Sequence, residues 1–235
     1  MNLIHYLDKS FYPQYTNNWD DKLFREKIES LLTPSMTILD VGAGAGILDD
    51  MNFKDKVEVV IGIDLDHRVE TNPFLDKGIV GDAASIPVPD NFFDIVFCDN
   101  VFEHIEQPQE VFEEIYRVLK NGGLLLFKTP NKYHYMTLIA RLTPHKFHQF
   151  YNRIRGRKSK DTFPTRYLIN SEKDIKIIAN ATGFKINSIS LIEGRPEYLR
   201  ILSLTYLFGF LYERLVNKFG LLKNMRILII GVLKK

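Results

Sequence analysis

"ILDVGAGAG", residues 38–46, decides how this chain is read. Four residues suited to a buried strand run directly into glycines at 42, 44 and 46. Glycine loses more conformational freedom on folding than any other residue, so it is kept where the backbone turns left-handed or must be approached closely. A tight turn uses one or two. Three at alternate positions describe a loop that something lies against.

The flanking sequence supplies the frame. Short, nearly all-apolar runs at 37–41, 57–63, 93–97 and 124–128 read as central strands of a parallel sheet, buried on both faces. A fifth short strand is expected at 78–81. Leu23, Phe24, Ile28, Leu31 and Leu32 set a helical period over 20–32 that Thr33-Pro34 stops. A second helix is expected over 111–119 after Pro108, ended by Asn121-Gly122-Gly123. A third, over 172–182, ends at Gly183, and strands follow at 184–192 and 226–233. Strands alternating with helices imply an α/β, doubly wound sheet. The expected organisation is one domain, 1–235. It has an N-terminal lid or helix (1–35), a cofactor-binding core (36–130), a basic and aromatic cap (131–170) and a closing segment (171–235). That last segment carries an apolar insertion at 195–222.

Composition narrows the classes. The 235 residues are 45% hydrophobic, enough for a full core, and the net charge of +2 gives no general argument for nucleic acid. The single cysteine, Cys98, excludes an intrachain disulfide framework and a four-cysteine zinc site, and sits in strand-like sequence. No opening stretch reads as a signal peptide, and the longest apolar tract, 201–212, is well short of the ~20 residues a bilayer span needs. A cytoplasmic protein is expected.

A glycine-rich turn after a strand, leading into a helix, presents bare amide groups and a helix N-terminus to a ligand. Binders of NAD, FAD and S-adenosylmethionine share it. A dinucleotide fingerprint would place glycine or alanine at position 47, which is Ile47. Asp64 follows Gly46 by 18 residues and closes "VVIGIDLD", where a carboxylate can accept from ribose hydroxyls or simply be a solvated turn acid. Asp82 can accept from an adenine amino group while the Ala83 amide donates to the ring; the alternative is an N-cap. Asp94, at the start of a strand, reads as structural.

With these pieces in order, the chain resembles the class I S-adenosylmethionine-dependent methyltransferases, in their small-molecule, type-11-like branch. The residues that carry the resemblance are "ILDVGAGAG", "GIDLD", "GDAASIPVPDNFFDIVFCDNVFEHI" and "RVLKNGGLLLFKTPN", within 31–131. It implies a seven-stranded, mostly parallel, Rossmann-like sheet with only the last strand antiparallel and a cap made by insertions after strands 5 and 6. It also implies S-adenosylmethionine as cofactor and S-adenosylhomocysteine as product. Asp40, Gly42, Ala43, Gly44 and Gly46 would hold the methionine end, Asp64 and Leu65 the ribose side, and Asp82 and Ala83 the adenine. Asn100 would lie near the sulfonium. The glycines would then serve to let the cofactor's amino-acid tail lie on the backbone.

Methyl transfer needs alignment and exclusion of water, and a hydroxyl acceptor also needs a base. His104, in "EHI", is the expected base, with packing against a short helix as the alternative; His134, His145 and His148 compete from the cap. Glu103, Tyr133 and His134, with Arg153, Arg155 and Arg157, are the candidate acceptor contacts. His145 and His148 have metal-ligand spacing without an acidic cluster, so no metal is expected. Residues 141–166 hold eight Lys/Arg against one acid, read either as a solvated loop or as a grip on an anionic sugar- or lipid-linked acceptor. The expected partner is a small-molecule acceptor rather than nucleic acid, with peripheral membrane contact and homodimerisation left open. The apolar insertion at 195–222 is expected to pack on the core or dimerise in preference to touching a membrane. The alternatives to a small-molecule O-methyltransferase are an RNA or protein methyltransferase and a non-catalytic S-adenosylmethionine-binding subunit.

Overall fold

The computed structural model describes residues 3–15, 18–142, 164–200 and 202–235. Helices α1 (Leu3–Phe11) and α2 (Trp19–Glu29) precede β1 (Thr37–Val41), β2 (Val59–Asp64), β3 (Lys77–Val80) and β4 (Phe93–Asp99). Then come α3 (Pro108–Val118), β5 (Leu119–Pro130), α4 (Tyr135–Leu142), α5 (Glu172–Ala181), β6 (Lys185–Ile192), α6 (Ser203–Lys218) and β7 (Leu228–Lys234). The seven strands form one sheet in the order β3-β2-β1-β4-β5-β7-β6. All pairs are parallel except those made by β7 with β5 and β6.

Strand alternation splits the core into two layers. Leu39, Val41, Ile61, Val96 and Phe127 face α3 and α5, packing on Phe112, Ile115 and Ile175. Their sequence neighbours Ile38, Val60, Ile95, Phe97 and Leu126 face Phe24 and Ile28 of α2. Because both faces are covered, the strands read as continuous apolar runs. Pro108 starts α3 at a position that needs no amide donor, and the Ser171 hydroxyl caps α5 by accepting from the Asp174 amide at 3.1 Å. The strand order reverses between β1 and β4, and in such sheets ligands bind outside the strands' carboxyl ends at that reversal.

Two expected elements differ. The glycine loop leads into a single 3-10 turn, Asp49–Met51, rather than an α-helix. The connection to β2 is short, Asp55 takes a left-handed φ of 69°, and Arg25 of α2 reaches over to donate to the carbonyls of Asp50 and Asn52 at 2.7 and 3.0 Å. No helix dipole therefore backs the loop. Helix α3 ends at Val118, before the glycines, because Leu119 is already extended and starts β5; Gly122, at φ 84°, serves an irregularity within that strand.

Candidate functional site

The crevice at the β1/β4 reversal is built from the glycine loop on one side and the end of β4 on the other. Gly42, Gly44 and Gly46 all have positive φ, at 80°, 51° and 67°. Their surroundings differ. A Cβ on Gly42 would lie 2.4 Å from Val101, and one on Gly46 would lie 2.2 Å from Asn72 Oδ1, so protein packing already demands glycine at both. Only Gly44 faces open space, its nearest neighbour being Asp64 Oδ2 at 3.9 Å. Packing thus accounts for glycine at 42 and 46 on its own, while at Gly44 the space beside the backbone is open.

Asn72 holds the loop in this shape. Its buried amide donates to the carbonyls of Ala43 and Gly44 at 3.0 and 3.3 Å and its oxygen accepts from the Phe74 amide. Pinning those carbonyls inward fixes where the loop amides point. Asp64 Oδ2 accepts from the Gly44 amide at 2.8 Å and Oδ1 from the Asp66 amide at 2.8 Å, which leaves about half of its lone-pair capacity for a ligand. Leu65 beside it is exposed, as is Ile47 on the loop.

Acid crowds this crevice. Asp40 is buried at the end of β1, and its carboxyl is pushed well above the usual range by burial and by the fields of Asp99 and Asp64. Asp99, the last residue of β4, is pushed up to about 6 by burial against the pull of Lys128. Its Oδ1 takes the Lys128 ammonium at 2.9 Å and the Asn100 amide group at 2.9 Å, while its Oδ2 is buried with no hydrogen-bond partner. Asn100 turns left-handed at φ 54°, bringing the chain sharply out of the strand.

Lys128, wholly buried on β5, is the counter-cation, held by Asp99, by Asp21 and by Asp20 at 3.3 Å. Burial alone would strip its proton, yet the three carboxylates win and raise it above the ordinary lysine range. Through Asp20 and Asp21, α2 is clamped across the carboxyl edge of the sheet. Composition and periodicity do not reveal this network. The one trace is a lysine closing the apolar run at 124–128 and two acids opening a helix.

Glu103 is buried beyond β4, where burial pushes it up to about 7, opposed by hydrogen bonds that include one from Thr129 at 3.1 Å. Asn170 in turn donates to Thr129 Oγ1 at 2.6 Å. His104 Nδ1 lies 2.8 Å from the Pro164 carbonyl oxygen. A carbonyl only accepts, so Nδ1 carries the proton and Nε2 the basic lone pair. Burial lowers the histidine below its ordinary value, more than the Pro164 bond raises it.

The other nominated residues have their own local settings. Asp82 Oδ1 accepts from the Ala84 amide at 2.9 Å in an exposed turn, the capping alternative, with Ala83 beside it. His134 is buried between Glu193, at 3.5 Å, and the rings of Tyr135 and Tyr212, and the structure does not bring it to His104. Tyr133 lines a cavity of about 350 Å³ beside α5 and Lys223, away from the glycine loop. Asp94 accepts from the Thr37 amide and Lys120 and Cys98 is core, as expected. Arg153, Arg155, Arg157, His145 and His148 lie outside the described residues, among which no group of three metal-ligating side chains occurs.

The crevice fits a cation that lies on backbone. An orphaned buried carboxylate oxygen and a mutually repelling acid trio favour positive charge, and Gly44 leaves room for close approach. The sulfonium and ammonium of S-adenosylmethionine meet both conditions, whereas a dinucleotide's pyrophosphate would be repelled.

Residues 39–127 match the family model described as "Methyltransferase domain". Ubiquinone biosynthesis O-methyltransferases from Saccharomyces cerevisiae and Nitrosomonas europaea are 29% and 30% identical over 136 and 132 residues. These alignments cover 53% and 48% of this chain and 44% and 55% of those proteins, so the chain spans about half the length of the curated relatives it matches. A solved structure of an S-adenosylmethionine-dependent methyltransferase from Archaeoglobus fulgidus superposes with a TM-score of 0.59 at 18% identity, covering 98% of this chain and 99% of that one. The [4+2]-cyclase SpnF superposes at 0.56 and 17% identity, covering 92% and 80%, so the fold by itself does not name a reaction.

Proposed function

We propose that this chain, whose residues 39–127 match the methyltransferase-domain model, moves a methyl group from S-adenosylmethionine to a hydroxyl of a small-molecule acceptor. The observation that supports it most is the pairing of an open Gly44, bonded to Asp64 at 2.8 Å, with two further acids, Asp40 and Asp99, gathered at the same crevice. When bound, S-adenosylmethionine supplies a methyl group already activated on sulfonium sulfur.

In this reading Asp40 and Asp99 hold the cofactor's positive end, with the Gly42–Gly46 loop and Ala43 beneath it. Asp64 accepts from ribose hydroxyls with the lone pairs its two amide bonds leave, and Leu65 covers the neighbouring ring system. Asp82 and Ala83 meet the adenine edge. The left-handed turn at Asn100 would lie near the sulfonium. His104 takes the acceptor's hydroxyl proton at Nε2. Its lowered pKa keeps it neutral, and so basic, at pH 7. Glu103 lies next along the chain, buried and partly protonated, and shapes the acceptor pocket through Thr129 and Asn170. Residues 1–235 act as one unit, α2 serving as the lid through Asp20 and Asp21. Arg153, Arg155 and Arg157 are retained as the grip on an anionic sugar- or lipid-linked acceptor; Tyr133 belongs to the cavity beside α5 and His134 is assigned to the seam with Glu193.

Incubating the protein with methyl-labelled S-adenosylmethionine and metabolite extracts tests this. The expected result is label in a small-molecule ether or ester, lost in His104→Ala. Label confined to RNA or protein would replace the acceptor class, and no transfer to any extract would overturn the reading.

A further inference from the structure

Helix α6 is built with its polarity reversed. Asp8 of α1 and Glu213 of α6 are buried in the seam between the two helices. There Glu213 accepts from the Tyr12 hydroxyl at 2.9 Å and Asp8 from the Tyr206 hydroxyl at 3.1 Å. The outward face is apolar. Leu204, Leu207, Phe208, Leu211 and Leu215 recur at helical spacing and are each between 49% and 66% exposed. The expectation that this insertion packs on the core is therefore corrected for these five side chains: the core takes Tyr206 and Val216 instead.

Charge follows the same division. Every acid of α1 and α6 is buried, and every lysine and arginine of the two helices (Lys9, Arg214, Lys218) is exposed. Over residues 195–235 the sequence carries eight Lys/Arg and two acids. Both of those acids, Glu197 and Glu213, are bonded within the protein, to Arg195 and Arg200 and to Tyr12. Arg214 is paired with Glu213 at 3.4 Å, which leaves Lys9 and Lys218 as the exposed lysines beside the stripe. An apolar stripe rimmed by exposed lysines is the pattern of a helix lying in a membrane interface. At 16 residues α6 is too short to cross a bilayer, and no helix among the described residues is long and apolar enough to do so. A second copy of the chain is the poorer fit, because a two-fold contact through this face would set Arg214 and Lys218 near their own likes.

We propose that the outward face of α6, with Lys9 of α1, docks on an anionic phospholipid surface. The insertion leaves the sheet at the carboxyl end of β6, so docking turns the edge that bears the candidate site toward the bilayer. Docking stands apart from the methyl-transfer reading, since vesicle binding needs no substrate.

Co-sedimentation with vesicles of phosphatidylcholine alone, and of phosphatidylcholine with phosphatidylglycerol, tests it on the full chain. Binding is expected only to the anionic vesicles and is expected to weaken with salt. Leu207→Gln combined with Phe208→Gln and Leu211→Gln should lower partitioning by about tenfold or more, as should Lys9→Glu with Lys218→Glu. Circular dichroism should show both variants folded, since all five positions are exposed. Absence of wild-type binding, equal binding to both vesicles, or full binding by the folded apolar variant would each overturn the proposal. So would a dimer in light scattering that the apolar variant dissociates while vesicles stay unbound.

Discussion

Replacing Lys128 with Met removes the cation that Asp20, Asp21 and Asp99 hold in a buried cluster, without changing its volume much. The ammonium lies 2.9 Å from Asp99 and 3.3 Å from Asp20 and also contacts Asp21. At an effective dielectric of about 20, each unit-charge pair at ~3 Å is worth roughly 5 kcal/mol before desolvation is subtracted. Desolvating each ion costs several kcal/mol, so the net value is far smaller, but deleting one partner exposes the rest of the penalty. We expect Lys128→Met to lose about 3–5 kcal/mol at pH 8, a large share of the ~5–15 kcal/mol typical of a domain. Lowering the pH protonates the stranded carboxylates, so the deficit should shrink by pH 5. Wild-type Lys128 is raised above its unfolded value, so its contribution persists below the ordinary lysine range and adds no slope between pH 5 and 8. Asp99 and Glu103 are raised to about 6 and about 7, so their stabilising contribution is complete only below the ordinary carboxyl range and fades as pH rises through those values. Urea denaturation of both proteins at pH 5 and pH 8 checks this. A deficit below ~1 kcal/mol, or one that ignores pH, would refute the account of the cluster.

The three glycines should separate by experiment. Gly42→Ala and Gly46→Ala should lower Tm, since their Cβ atoms meet Val101 and Asn72, while Gly44→Ala should cost only about 1 kcal/mol of left-handed strain and still weaken cofactor binding. Asp64→Ala should weaken S-adenosylmethionine by at least about tenfold in calorimetry with Tm little changed, the loss of charged-acceptor hydrogen bonds. His104→Ala should reduce kcat by roughly 10²–10⁴ and leave cofactor affinity intact. The wild-type rate should fall on acidification only below the ordinary histidine range, because burial lowers His104. A rate profile with its acid limb above that range would assign the base elsewhere.

The central strands β1, β2, β4 and the 124–128 part of β5 were legible because each is apolar on both faces, and β1 was read to the residue over 37–41. Less legible was whatever depends on contacts far apart in sequence. The helix expected after the glycine loop is absent because Arg25, in another helix, secures the carbonyls of a tighter turn. Asn72 escaped notice because nothing local marks an asparagine that latches a loop nearly thirty residues away. Lys128 with Asp20 and Asp21 escaped because periodicity treats a strand-ending lysine and first-turn acids as solvent-facing. The outward stripe of α6 was visible as apolar sequence, but its direction is set by Asp8 and Glu213 claiming the inner seam.

The central claim is that the acidic crevice takes a cationic, backbone-lying cofactor, and calorimetry in buffers of different ionisation enthalpy tests it most directly. Near pH 7 a cation arriving beside Asp40 and Asp99 favours their charged forms, so S-adenosylmethionine should bind with net proton release, seen as a buffer-dependent enthalpy. NADH should give no heat of binding. Binding of NADH, or binding of S-adenosylmethionine with no proton exchanged at pH 6 to 7, would contradict it.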